Sequence, residues 1–337
     1  MTSLSPSSMA DVAERAGVST STVSRALRGS SLVSAATADR VRQAAEELDF
    51  AVSRAASSLA SGRLNRVAVL LSGSLSAWFN GSLLDATYAA LHDRGQELLI
   101  YRTLSRNERD AFFATLPARR NADAMIVASM ELTAAQRQRL QNLGMPLVFV
   151  NQRHAGAASV AIDDAAGAEV ATQHLINLGH RRVAYVGYVH DPAARHSSAR
   201  RLTGYRTAMT AARVPAREQR AILTARPGDA EDAVSQLLGA PRPPTALLVE
   251  SDDLAMRVLA ALWRVGLRTP ADLSVVGFDG HAMAETFGLT TMAQPVAELG
   301  RQAAELALDL AAGEAPRRRT ITLPTSLVLR STTGRPA

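Results

Sequence analysis

The chain has 337 residues, 47% of them hydrophobic, and carries 37 basic against 31 acidic side chains for a formal net charge of +6. That length suits two or three domains with sizeable cores, and the absence of cysteine excludes disulfides and thiolate metal sites. No apolar run reaches the roughly 18 residues of a membrane span, and the start MTSLSPSSM lacks a signal peptide's apolar stretch, so a bacterial cytoplasmic protein is expected.

Residues 9–27, MADVAERAGVSTSTVSRAL, read as two short helices around a tight turn. Ser8 and Asp11 have the spacing of a capping box. Val12, Ala13 and Ala16 share one helical face, Gly17 supplies the stop, and Ser19 caps the second helix. Val23, Ala26 and Leu27 form that helix's inward face. Thr20, Ser21, Ser24, Arg25 and Arg28 point outward, where hydroxyls can bond phosphates or base edges and arginine can grip guanine with two bonds. On this segment alone, a helical bundle with a polar face and no nucleic acid is the alternative. Residues 1–63 hold seven arginines against six acids, so placement rather than net charge must supply a phosphate footprint.

A third helix is expected from Ser34, with Val41, Ala45 and Leu48 inward. The stretch FAVSRAASSLASGR (50–63) follows, rich in Ala and Ser, with Leu59 its one large apolar residue. So little apolar surface gives a helix that folds only against something else. A linker helix ordered by DNA and a flexible tether are the two readings.

From Arg66 the pattern changes. Apolar runs VAVLLS (67–72), ELLIYR (97–102), DAMIVAS (123–129), PLVFVN (146–151), RVAYVGY (182–188), TALLVES (245–251) and LSVVGFD (273–279) alternate with amphipathic stretches near 80–94, 106–118 and 133–143. Such alternation implies parallel sheets covered on both faces, with strands enough for two. Ligands in such folds bind beyond the carboxyl ends of the strands. No GxGxxG, GxxxxGK[ST] or HExxH occurs, and the seven histidines show no ligand spacing. No enzyme, cofactor or metal site is therefore expected. His174 and His180 suit a helix end, and Trp263 suits packing or a dimer contact.

The ordered set DVAERAGVSTSTVSRAL, LVSAATADRVRQAAEELDF and SRAASSLASGR resembles the lactose-repressor/galactose-repressor (LacI/GalR) family of bacterial transcription factors. LINLGHRRVAYVG, RLTGY, SDDLA, GLRTPADLSVVGFDG and LTTMAQP extend the resemblance to about residue 332. It implies an N-terminal all-α helix-turn-helix head (8–50), a hinge helix (51–64), and an α/β periplasmic-binding-protein-like core (65–332). The core would hold two doubly wound parallel-sheet subdomains, at about 66–164 with 295–323 and about 165–294 with 324–332.

By the same resemblance, Thr20, Ser21 and Arg25 read major-groove base edges while Ser19, Thr22 and Ser24 hold phosphates. Leu59 would wedge into the minor groove with Ala56 beside it, and Arg54 would anchor the hinge. The chain lacks the proline usual near Val52. An effector would meet Trp78, Phe79, Asn151, Arg201, Ser251, Asp252 and Asp279, with Ser251 standing where the family usually has Asn. For Asp252 the plainer reading is a helix cap. The resemblance implies a homodimer on near-palindromic operator DNA, commonly a repressor, whose affinity a small molecule sets through the hinge helices. A sugar is the first expectation for that effector and a purine or nucleoside the second. A sugar-binding module without DNA regulation is the rival class.

Overall fold

The computed structural model describes residues 7–27, 30, 32–50, 63–128, 130, 132–154, 156–188, 196–224 and 230–336. The chain divides into two units, residues 1–64 and 65–337.

The first unit is a three-helix bundle of α1 (Met9–Ala16), α2 (Thr20–Leu27) and α3 (Ala35–Glu47). The Ser8 side chain accepts from the Asp11 N–H, and the Asp11 carboxylate accepts from the Ser8 N–H at 2.7 Å. Both ends of the capping box are thereby satisfied. Gly17 ends α1 at φ 64, a left-handed conformation that costs glycine least. Val12, Ala13, Ala16, Val23, Ala26, Val41, Ala44 and Ala45 form the core, with Leu27, Leu48 and Phe50 packed at its margin.

The second unit contains two six-stranded sheets. The first has the order β11-β5-β4-β3-β1-β2, all parallel, from β1 (Arg66–Ser72), β2 (Glu97–Thr103), β3 (Ala124–Ala128), β4 (Leu147–Val150), β5 (Ala158–Ile162) and β11 (Thr320–Leu323). The second has the order β12-β10-β9-β8-β6-β7, from β6 (Val183–Tyr188), β7 (Arg220–Thr224), β8 (Ala246–Val249), β9 (Ser274–Asp279), β10 (Thr290–Ala293) and the antiparallel β12 (Ser326–Val328). Chain order then requires three crossings between sheets: after β5, after β10 and after β11.

Helices α4 (Trp78–His92), α5 (Arg106–Thr115), α6 (Ala134–Gln141) and α11 (Val296–Ala311) flank the first sheet. Helices α7 (Asp164–Asn177), α8 (His196–Ala211), α9 (Ala230–Leu238) and α10 (Asp252–Arg264) flank the second. Strands β3 and β8 are buried throughout, β1 is buried except at its two ends and β9 except at its last residue, which is why they read as unbroken apolar runs. Strand β5, ASVAI, is equally buried but carries too little bulk to stand out in the sequence. Trp263 is 79% exposed, so it does not pack within the chain.

Candidate functional site

On the first unit, α2 buries Val23 and Ala26 and turns Thr20, Ser21 and Arg25 to solvent. Ser19 caps it: its Oγ accepts from the Thr22 N–H and bonds the Ser21 and Thr22 hydroxyls at 2.8 and 2.9 Å. Three hydroxyls thus crowd the amino end of a helix, where free N–H groups and the dipole favour a phosphate. Ser24 is half-buried on the same side. Arg25 stands one turn further on, where a guanidinium can reach base edges. Arg28, Arg54, Ala56 and Leu59, and almost all of the 51–64 hinge segment, lie outside the described residues.

In the second unit, the carboxyl ends of the two sheets supply the other site. Asp279 closes β9 at φ 129, and Asn151 follows β4 at φ 56. Non-glycine residues rarely hold such angles, and strain of this kind gathers at functional sites. The Asn151 side-chain oxygen accepts from the Ile162 N–H at 3.3 Å, fastening β4 to β5. Beside it the Gln152 amide donates to the Met130 carbonyl.

Arg201 is the centre of the arrangement. Its Nε donates to Asp164 Oδ1 at 2.8 Å, and one terminal nitrogen donates to Asp279 Oδ1 at 3.1 Å and the Glu250 carbonyl at 2.6 Å. The guanidinium carbon sits 3.8 Å from the Phe278 ring centroid. Gly204, one turn along α8, makes this meeting possible, because a Cβ there would collide with the Ala165 carbonyl of α7. Burial works against the Arg201 charge, and Asp164 and Asp279 more than reverse that. Burial, with Asp252 adding to it, pushes the Asp279 carboxyl up to about 7 against the pull of Arg201 and Gln294.

Gln294 completes the set. Its side chain donates to Asp279 Oδ1 at 2.8 Å, and its own N–H donates to the Asp279 carbonyl at 3.0 Å. Its Oε1 is buried with no partner among the described residues. Asp164 begins the chain after the first crossing and Gln294 stands at the second. The chain Asp164–Arg201–Asp279–Gln294 therefore clasps two of the three connections between the sheets.

One expectation is corrected here. Ser251, not Asp252, caps α10, by accepting from the Leu254 N–H at 3.4 Å. Asp252 is fully buried and serves the loop after β9. Its Oδ2 accepts from the N–H groups of Gly280 (2.9 Å) and His281 (2.7 Å), and its Oδ1 accepts from Thr291 Oγ1 (2.7 Å). Three hydrogen bonds thus hold the Asp252 carboxylate within the protein. Glu250 is also buried, bonded by Ser198 Oγ at 2.5 Å and the Tyr188 N–H at 3.0 Å.

Trp78 opens α4, and its ring lies 5.3 Å from that of His281, which follows β9 in the other sheet. Trp78 and Phe79 both pack against the main core as well. Asp164, Gln294 and His281 carried no signal in the sequence beyond their place beside strand ends. Among the described residues no group of His, Asp or Glu is arranged to hold a metal ion.

Comparison with known proteins agrees with both units. A model of bacterial regulatory proteins of the lacI family matches residues 8–53, and a periplasmic binding protein-like domain model matches residues 172–333. The HTH-type transcriptional repressor PurR of Vibrio atlanticus (strain LGP32) is 30% identical over 328 residues, 96% of this chain and 97% of its own. The chain belongs to the LacI family of bacterial regulatory proteins. A Lac repressor dimer bound to operator and the anti-inducer ONPF superposes on this LacI-family chain with a TM-score of 0.85 at 27% identity, covering 98% of it and 100% of that structure. The regulator CelR in complex with cellobiose gives 0.71 at 30% identity, covering 97% and 99%. This LacI-family member is a ligand-responsive, DNA-binding transcriptional regulator and not an enzyme. No helix among its described residues is long and apolar enough to cross a membrane.

Proposed function

We propose that the regulator is a homodimeric, cytoplasmic repressor whose effector is a neutral sugar bound between the two sheets of the core. Asp279 and the unpartnered Gln294 Oε1 accept from sugar hydroxyls, Arg201 and Asn151 donate, and Trp78 offers its flat face to the ring. The observation that carries this reading is the state of Arg201. Asp164 and Asp279 already hold its guanidinium, so Arg201 is not a free cation awaiting a phosphate or carboxylate, whereas a polyol needs only shared hydrogen bonds. CelR, a relative in structure, is described in complex with cellobiose. Thr20, Ser21 and Arg25 read the operator, and Ser19, Thr22 and Ser24 hold its phosphates. Arg28, Arg54, Ala56 and Leu59 keep the roles that the family resemblance implies. The bound sugar changes DNA affinity by altering the Asp164–Arg201–Asp279–Gln294 clasp, and so the angle between the two lobes.

A thermal-shift screen of neutral sugars, phosphorylated sugars and nucleosides tests the effector class. A ligand at a hundred times its Kd adds about 2.7 kcal/mol of stability, which a domain of this size registers as several degrees. Neutral sugars are expected to give that shift. A shift with nucleosides or sugar phosphates alone would overturn the reading.

A further inference from the structure

Because every strand of the first sheet runs parallel, the amino ends of all six share one face. The connections arriving there are rich in arginine. Arg94 precedes β2, Arg119 and Arg120 precede β3, and Arg317, Arg318 and Arg319 precede β11. All six are exposed, and none forms an ion pair with a described residue. By contrast Arg66, at the start of β1, is paired with Glu97 at 2.6 Å. The amino ends of the second sheet differ. Arg181 and Arg182 donate there to the carbonyls of Ile176 and Pro243, and Arg242 and Arg268 pair with Glu218 and Asp272. Arg213, before β7, is exposed and without an ion pair to a described residue, so the second sheet's amino ends carry fewer uncommitted guanidinium groups than the six on the first. In chain order β1, which starts at Arg66, is the first strand after the DNA-reading unit.

We propose that this arginine face is a second DNA contact, which grips duplex phosphates without regard to sequence. Guanidinium groups match phosphate oxygens in fixed two-bond geometry. Single contacts of this kind are weak in solution, but several on one chain that already binds DNA act together through effective concentration. The face then adds affinity, sensitivity to salt and a tolerance of any flanking sequence.

The proposal rests on DNA binding by the full chain and is tested there. The probe is a mixed-sequence duplex of about 40 base pairs, titrated by fluorescence anisotropy from about 50 to 200 mM salt. Each phosphate contact steepens the plot of log affinity against log salt by about 0.9. The variant R317A/R318A/R319A is expected to flatten that slope by about 2 or more. The variant R213A/R242A/R268A removes equal charge from the second sheet's amino ends and is expected to keep the slope. Equal slopes for all three proteins, as expected if the face served an acidic protein instead, overturn the proposal. Equal flattening by both variants also overturns it, because net charge alone would then be responsible. Absence of any DNA affinity in the unaltered chain would instead strike at DNA binding itself.

Discussion

The indole of Trp78 and the imidazole of His281 meet at 5.3 Å between ring centroids, tilted by 38°, although they belong to different lobes of the core. Trp78 is fixed by the start of α4. His281 is fixed by its N–H bond to Asp252 and by its Nδ1, which accepts from the Met283 N–H at 2.9 Å. The contact therefore measures the distance between lobes at the mouth of the proposed sugar site.

Aromatic pairs of this kind contribute about 0.5 to 1.5 kcal/mol. H281A should accordingly weaken sugar binding by about twofold to tenfold, if the bound state is the one with the lobes together. Trp78 and Trp263 are the two tryptophans of the chain, so W263F leaves Trp78 as the sole indole reporter. Its emission should respond to the sugar in W263F and respond less in W263F/H281A. An identical response and affinity in both would remove the contact from the binding event.

The hydrogen bonds of Asp252 give it a supporting role, which its variants should show. Hydrogen bonds to a buried charge contribute about 1.5 to 3 kcal/mol each, and three converge on this carboxylate. D252A should lower stability by about 3 to 5 kcal/mol in urea unfolding. A variant of unchanged stability that has merely lost sugar binding would restore Asp252 to the ligand surface.

Asp279 gives the effector response a pH dependence. With its carboxyl raised from the ordinary 3.8 to about 7, chiefly by burial, it is half protonated near neutrality. The ionised form is the better acceptor of hydroxyls. Sugar affinity should rise roughly tenfold from one pH unit below that value to one above. Stability moves oppositely: the folded state holds this proton longer than the unfolded chain, so the group's contribution is lost as pH rises from about 4 through 7. Calorimetric titration of D279N should show affinity that is lower and flat with pH. A D279N profile parallel to the unaltered protein's would assign the titration elsewhere.

The division into a helical head and an α/β core was readable because each part obeys a local rule. Ser8, Asp11 and Gly17 mark helix ends by side-chain chemistry, and VAVLLS or LSVVGFD mark buried strands by an unbroken apolar run. Strand β10, TTMA, was not readable: its buried Thr290 and Thr291 are satisfied by Thr332, Thr333 and Asp252, partners some 40 residues away. The edge strands β7 and β11 are half polar, as their exposure demands. The site divides similarly. Asp279 is legible as the polar end of an apolar strand. Asp164, Gln294 and His281 gain their roles from crossings between sheets, and neighbouring sequence does not encode a crossing.

Two histidines fasten the C-terminal segment. His180 is buried, with Nδ1 against Thr245 Oγ1 at 2.9 Å and Nε2 against the Gly334 carbonyl at 2.9 Å, while His174 Nε2 meets Thr333 Oγ1 at 3.1 Å. Burial lowers the pKa of both, and the neighbouring His180 lowers that of His174 further. The unfolded chain therefore takes up protons first as pH falls, and stability drops below the ordinary histidine value of 6.5 until the folded forms titrate. In a D279N background, which removes the opposing contribution of Asp279, melting temperature should fall between pH 7.5 and 5.5 by about a few degrees. H174Q/H180Q should melt lower at neutral pH with a shallower fall, and an equally steep fall in that variant would place the linkage in other groups.

The control of DNA by the core is most directly measured as an affinity ratio. A duplex selected from a random-sequence pool by the unaltered protein is titrated with and without the sugar found by thermal shift, using that protein and R201A. The sugar is expected to change the unaltered protein's DNA affinity by about 5- to 150-fold. R201A should bind the same duplex without responding to the sugar. A ratio of one in the unaltered protein, or the same ratio in R201A, would contradict control through the Arg201–Asp279 clasp.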